Sequence, residues 1–288
     1  MPPIPRPAGP AGPEGALGAS EAADPRMIAM KYGPFTIGEA FFRRTAVPAG
    51  LDAVLYRQLP SPEGLVRPVA QATLLLDLSR PEDELFQAIE KNTRYKIRRS
   101  ETKDGTRCRL LGGPDLTDTY LADLAERYRE FAQTKGIGPM NLQRLRQLRS
   151  AGMLLIGQAD AEGGETLAWH VYLVAHRRAR LLYSLSRFRD SEDPQFQGMV
   201  GRANRHLHWE DLRALKALGL ATYDFGGFYL GQTDEAKLRI NHFKLEFRGA
   251  QATEYNGFHA QSLKGRLVGR LYTLALPLVE LASRWGLR

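Results

Sequence analysis

The spacing of apolar and polar positions changes period along this chain, and each change predicts an element. Gln71 to Leu78 (QATLLLDL) predicts a strand, and Ser79-Arg80-Pro81-Glu82 opens a helix after it. Ser79 is placed to cap that helix, Pro81 suits the first turn, and the acids that follow complement the dipole. At about 100° per residue, Leu85, Phe86, Ile89, Thr93 and Ile97 share one face of a helix running to about Lys103. Lys91, Arg94 and Arg98 share a neighbouring face, so one side packs and the other offers cations. A strand at Thr106 to Leu111, helices at about 115–134 and 140–150, and a hairpin or meander come next. The meander is Met153 to Ala159, Thr166 to Ala175 and Ala179 to Leu185. A helix over about 197–218, a strand ending at Asp224, a helix from Asp234 to Phe247 and a strand at Ala250 to Tyr255 complete the series. This order predicts a mixed α/β layer fold around one central sheet.

The two ends read differently. Residues 1–26 are Pro, Gly and Ala with few large apolar residues, which predicts a disordered tail. Ile28 to Pro68 holds short apolar pieces between turn residues, too little for a domain of its own, and is expected to add strands to the sheet. Ser262 to Leu287 carries a stripe of Leu263, Leu267, Leu271, Leu274, Leu278, Leu281 and Trp285, flanked by Arg266, Arg270 and Arg284 and kinked by Pro277. Such a basic amphipathic helix either packs on the body or lies on an anionic membrane surface.

Composition narrows the class. With 288 residues, 43% of them apolar and 25% charged, the chain has enough apolar content for one large core or two modest ones. The net charge of +8 is uneven: Lys91 to Arg109 holds eight basic residues against Glu101 and Asp104. That cluster reads either as a solvated helix face or as a surface for a polyanion such as phosphate, nucleotide, RNA or anionic lipid. Cys108 is the single cysteine, so neither an internal disulfide nor a cysteine metal site is available. No apolar run reaches the roughly 18 residues of a membrane span, and no signal-peptide pattern opens the chain. A cytosolic protein, or one lying on a membrane without crossing it, is expected.

Two motifs carry the candidate chemistry. Tyr223-Asp224-Phe225-Gly226-Gly227 reads as a strand running into two glycines, where backbone approaches a ligand closely or turns with positive φ. Phe243-Lys244-Leu245-Glu246-Phe247 sets a lysine between two aromatic residues that would dry its surroundings. Lys244 would neutralise a reacting carbonyl or a substrate phosphate, or it is an ordinary helix-surface lysine. Asp224 would accept or orient an amine, or it caps the next loop. Both are expected to face one cleft. His206 and His208 are two apart and point to different helix faces; His170 and His242 read as structural, with His242 also placed to relay a proton. No metal is expected.

These residues resemble the Fem-type aminoacyltransferases, a branch of the GNAT acyltransferase superfamily, over about residues 70–258. The resemblance rests on Leu76 to Glu101, on the hairpin Glu165 to Arg187, on YDFGG and on HFKLEF. It implies a GNAT-like α/β fold with helices on both faces of a central mixed sheet. Residues 27–69 would be a partial lobe and 259–288 an appended basic helix. It further implies acyl transfer onto an amine of a cell-envelope precursor, such as one for peptidoglycan, from aminoacyl-tRNA, without a tightly bound cofactor. The alternative is an acyl-CoA-dependent N-acyltransferase acting on an amino sugar or polysaccharide precursor. A third reading is a non-catalytic module binding RNA or anionic lipid. In the family the lysine of the Phe-Lys motif contacts the reacting peptide end, which implies catalytic roles for Lys244 and Asp224. Arg94, Arg98, Lys91, Tyr183, Phe243, Gly226 and Gly227 fall to substrate binding. In this superfamily a pyrophosphate loop leads into the helix after the hairpin, which places Gly198, Gly201 and Arg202 at the donor phosphates. The usual Gln/Arg-x-x-Gly-x-Gly/Ala pattern is only half matched there, since the run from Gln195 meets Gly198 but ends in Val200.

Overall fold

The computed structural model describes residues 27–267, 269 and 270. The tail expected over 1–26, and most of the leucine-striped segment (271–288), lie outside the described residues. The strands are β1 (Met27–Tyr32), β2 (Phe35–Phe41), β3 (Ala53–Leu59), β4 (Val66–Asp77), β5 (Arg107–Gly112), β6 (Leu154–Asp160), β7 (Thr166–Ala175), β8 (Arg178–Ser186), β9 (Thr222–Gly227) and β10 (Ala250–Ala260). The helices are α1 (Glu82–Ala88), α2 (Lys91–Thr102), α3 (Asp118–Lys135), α4 (Leu142–Ser150), α5 (Pro194–Ala217) and α6 (Glu235–Leu245). The strands form one mixed sheet in the order β1-β2-β3-β10-β4-β9-β8-β7-β6-β5. Residues 27–59 therefore enter the sheet through β10, which pairs with β3 on one side and β4 on the other.

Helices cover both faces because β6 and β7 are apolar at consecutive positions, as sandwiched strands must be. On one face Leu121, Leu124, Tyr128, Leu145 and Leu148 of α3 and α4 pack on Ile156, Trp169, Val171 and Leu173. On the other, Leu85, Ile97, Trp209, Leu212 and Leu215 of α1, α2 and α5 pack on Leu74, Leu76, Tyr172, Tyr223 and Phe225. Thr117 caps α3 through Tyr120 N at 3.1 Å, and Gly136, at φ 62°, ends it in the left-handed conformation.

Three local expectations are corrected. The helix expected to run unbroken to Lys103 breaks at Ile89 and Glu90, whose ψ angles of 144° and 140° are extended. The break lets Glu90 N donate to Glu246 O at 2.9 Å, tying the start of α2 to the end of α6. Ser79 does not cap: Pro81 holds that position, and the Ser79 amide donates to Asp77 Oδ1 at 2.8 Å. Finally, β10 continues past Tyr255 to Ala260 through a bulge at Asn256. The Asn256 side chain fills the gap, accepting from Gln58 N and donating to Gln71 Oε1, both at 2.9 Å.

One irregularity positions the candidate site. β8 and β9 are parallel but pair only from Arg178↔Thr222 to Arg180↔Asp224. Beyond that point β9 stays with β4, and the far half of β8 stays with β7, across a register shift that leaves Leu182 without a partner residue. Gly226 and Gly227 end β9 where that ladder has stopped.

Candidate active site

Lys244 is held at the last turn of α6 by its neighbours. Phe247 is fully buried and Phe243 half-buried, and both pack on the His208 ring at 5.3 Å. The lysine side chain is thereby turned toward the end of β9, where its Nζ donates to Gly227 O at 2.5 Å. It lines a cleft of about 620 Å³ bounded by Ala70, Gln71 and Ala72 of β4, the turn Gly227 to Leu230, and Lys237, Ile240 and Asn241 of α6. Burial drives the ammonium pKa down from its ordinary 10.5 to about 8; the Asp224 charge opposes the fall and the Arg180 charge adds to it. A cation this weakly held in its charged form responds to any negative charge that develops beside it.

Gly226 shapes the edge of this cleft. Its φ is +73°, its amide donates to Asp224 Oδ1 at 2.8 Å, and a Cβ would stand 2.9 Å from Leu181 O. Gly227 is open by comparison, meeting only Gln71 Nε2 at 4.0 Å. Gly226→Ala is therefore expected to cost about 1–3 kcal/mol from the left-handed backbone alone, with the carbonyl clash added. Gly227→Ala is expected to leave the denaturation midpoint nearly unchanged. Urea unfolding of the two variants checks this.

Asp224 does not share the cleft, which corrects the expectation that it and Lys244 face one cavity. Its side chain is fully buried on the other side of β9, accepting from Thr73 Oγ1, from Gln58 Nε2 at 3.1 Å and from Arg178 Nη2 at 2.5 Å. Burial would raise its carboxyl, but the Arg178 and Arg180 guanidiniums and the Thr73 hydroxyl hold it below the usual carboxylate range. Every acceptor position faces a donor, so Asp224 has no capacity to take a proton from an amine. It acts as the loop cap that the sequence also allowed, through Gly226 N. Glu254 completes the network, receiving Arg178 Nη1 at 2.6 Å and Gln58 Nε2 at 2.8 Å.

No protein-family model matches this chain, and no curated protein does. Its structure, however, is similar to the crystal structure of FemX with a TM-score of 0.58, at 12% identity over 86% of this chain and 85% of that one. The fold is like that of FemX. A structure of L-PGS from Bacillus licheniformis aligns over 85% of both chains at 14% identity with a TM-score of 0.49.

Within this Fem-like fold the remaining site expectations divide. Phe243 and the two glycines stand at Lys244. Lys91, Arg94 and Arg98 lie on α2 and do not line the cleft. Arg94 is engaged with Gln87, accepted by its backbone oxygen and, at 3.0 Å, by its Oε1, while Arg98 stacks over Phe86 at 5.1 Å. Tyr183 is corrected to a packing role: it sits edge-on to Tyr128 at 5.0 Å, on the α3 and α4 face of the sheet. The donor-phosphate assignment is also corrected. Gly198 and Gly201 lie inside α5, and the start of that helix is already capped by Asp193, which accepts from Gln195 N and Phe196 N at 3.0 and 3.1 Å. Arg202 is paired with Asp104 at 2.5 Å. A carboxylate where an anion would dock repels a second one.

Arg178 and Arg180, alternating in β8, build this network with Gln58 and Glu254, and none of the four belongs to a motif legible in the sequence. A buried ladder lies beside the site. Asp211 of α5 accepts from His170 Nδ1 at 2.7 Å and from Tyr172 OH at 2.6 Å. Tyr172 and Tyr223 share a hydrogen bond of 2.8 Å, and His208 Nδ1 meets Tyr223 OH at 2.7 Å. Burial raises the Asp211 carboxyl pKa and drives His208 well below its ordinary value. The ladder holds His208 rigid under Phe243 and Phe247. Among the described residues no group of His, Cys, Asp and Glu is arranged to hold a metal, and no helix is long and apolar enough to cross a membrane.

Proposed function

We propose that this protein is an acyltransferase that moves an aminoacyl group from aminoacyl-tRNA onto an amine of a cell-envelope precursor, with Lys244 at the reacting centre. The observation that carries the reading is Lys244 itself: an ammonium with a pKa near 8, beside the Gly226–Gly227 kink, in an open cleft of a Fem-like fold. In the reaction the amine nitrogen bonds to the acyl carbon, the ester C–O bond of the donor breaks, and the leaving oxygen takes the proton. Positive charge from Lys244 stabilises the oxyanion formed between those events. Holding the two substrates together supplies the rest, which needs no covalent nucleophile.

Two features favour a tRNA donor over acyl-CoA. The Asp193 cap closes the helix start that a pyrophosphate would use. Lys91, Arg98, Arg99 and Lys103 stand exposed on or at the end of α2, as a polyanion requires. The protein would work in the cytoplasm. The test is label transfer from charged tRNA or acyl-CoA to amine acceptors. Transfer from charged tRNA is expected. Transfer from acyl-CoA alone would replace the donor, and transfer from neither, with salt-dependent binding of RNA or anionic vesicles, would leave a binding module.

A further inference from the structure

Arg180 is a largely enclosed cation without a carboxylate of its own. On the side of β9 away from the Lys244 cleft, three other guanidiniums match three carboxylates. Arg57 and Arg144 both bind Glu39, at 2.8 and 2.9 Å, and Arg178 bridges Asp224 and Glu254 at 2.5 and 2.6 Å. Arg180 is the surplus. Among the described residues its one hydrogen bond runs from Nη1 to Gln58 Oε1, a neutral acceptor, and its Nε is buried with no partner. The Asp224 charge reaches it, but that carboxylate already accepts from Thr73, Gln58, Arg178 and Gly226 N.

Enclosing an unpaired charge is costly, and a buried donor left without an acceptor adds to the cost. Burial presses the Arg180 pKa down, Asp224 opposes the fall, and the charges of Arg178, Arg144 and Arg57 add to it. Stability alone gives no reason to keep such a residue. The free atoms narrow what it would hold. Gln58 takes Nη1, so the edge of the guanidinium formed by Nε and Nη2 is left whole. That edge presents two parallel N–H groups, the fork that receives two oxygens of one carboxylate or phosphate. One surplus positive charge matches a group carrying one negative charge. Arg180 is also the last residue of β8 to pair with β9, opposite Asp224, and beyond it the two strands part. The side chain is not sealed: the residue keeps some contact with water, so a small ion can reach it.

From this we infer that Arg180 is an anion-binding residue, holding one singly charged carboxylate or phosphodiester group of a ligand across Nε and Nη2. The site is separate from the Lys244 cleft, whose lining Arg180 does not join, and it does not depend on the transferase reading. It bears on Lys244 all the same. Beside burial, the Arg180 charge lowers the Lys244 pKa, so an anion on Arg180 would raise it from about 8 and keep that ammonium charged to higher pH.

Thermal unfolding of the full chain tests the inference without any transfer assay. The probes are sodium acetate and sodium dimethyl phosphate, each set against sodium chloride at equal ionic strength. At about 100 mM anion and a dissociation constant of about 10 mM, wild type should unfold roughly 2–4 °C higher than in chloride. A larger shift with acetate assigns a carboxylate, and a larger shift with dimethyl phosphate assigns a phosphodiester. Arg180→Gln keeps a donor for Gln58 Oε1 and removes the surplus charge. It should lose the shift, while unfolding in chloride no earlier than wild type. Arg180→Lys keeps the charge without the fork and should retain less than about half of the shift. Lys244→Met should keep all of it. No shift in wild type, an equal shift in Arg180→Gln, or a shift lost in Lys244→Met instead would overturn the inference. So would Arg180→Gln unfolding in chloride as early as Arg178→Met, since that is the behaviour of a member of the buried network.

Discussion

Replacing Lys244 by methionine is expected to reduce acyl transfer by about 10²–10³-fold while leaving the protein at least as stable as wild type. The two halves have one cause. The ammonium sits where burial disfavours its charge, pulling its pKa to about 8. An unfolded chain binds that proton up to its ordinary value of 10.5, so between about pH 8 and 10.5 the unfolded state holds more protons than the folded one. Wild-type stability therefore rises with pH across that window through this group, and is lowest from it below pH 8. Methionine keeps the apolar stem, removes the charge and removes the rise. A lysine kept against its own solvation is the pattern of a residue retained for chemistry. Thermal unfolding at pH 7 and 10, beside label transfer, reads both effects. Transfer retained in a stable Lys244→Met protein would deny the residue its role.

The second large effect lies behind the site. Arg178→Met is expected to destabilise the fold by about 3–5 kcal/mol, because it removes the guanidinium paired with both buried carboxylates, Asp224 and Glu254. Asp224→Asn should cost less, since an amide oxygen still accepts from Gly226 N and Thr73. The double variant should cost less than the two added, by a coupling that a double-mutant cycle in urea would measure. Asp224 also fixes a pH dependence: its folded pKa lies below its ordinary value, so its contribution is complete above the unfolded carboxylate pKa and is lost as pH falls through the folded one. Additive costs would show that the network is not one unit.

How much of this was legible in the sequence follows from the range of each interaction. The order of strands and helices and the Phe-Lys and YDFGG motifs were readable because they are local patterns of period two or 3.6, or short motifs. Gly226 could be singled out because a positive φ leaves a mark on residue choice. The break at Glu90 could not be read, since its cause is Glu246, which lies 156 positions away in sequence. Asp224 failed as a base for the same reason. Its partners Gln58, Thr73 and Arg178 come from three different strands, and only the sheet order brings them together. The helix-start glycines misled because Asp193, three residues ahead of Phe196, already serves as the cap. The cleft is legible only afterwards, being defined by what small residues leave empty.

The central claim, that protonated Lys244 acts on charge developing at the acyl carbonyl, is tested most directly by the pH dependence of kcat/KM for transfer in wild type and Lys244→Arg. Both enzymes share the rise that comes from deprotonating the acceptor amine. The account predicts that the wild-type profile then falls with an apparent pKa of about 8, the value of the free enzyme's lysine. Arginine stays charged throughout, so the Lys244→Arg profile should show no such fall up to about pH 10. Two profiles that superimpose after scaling would contradict the account.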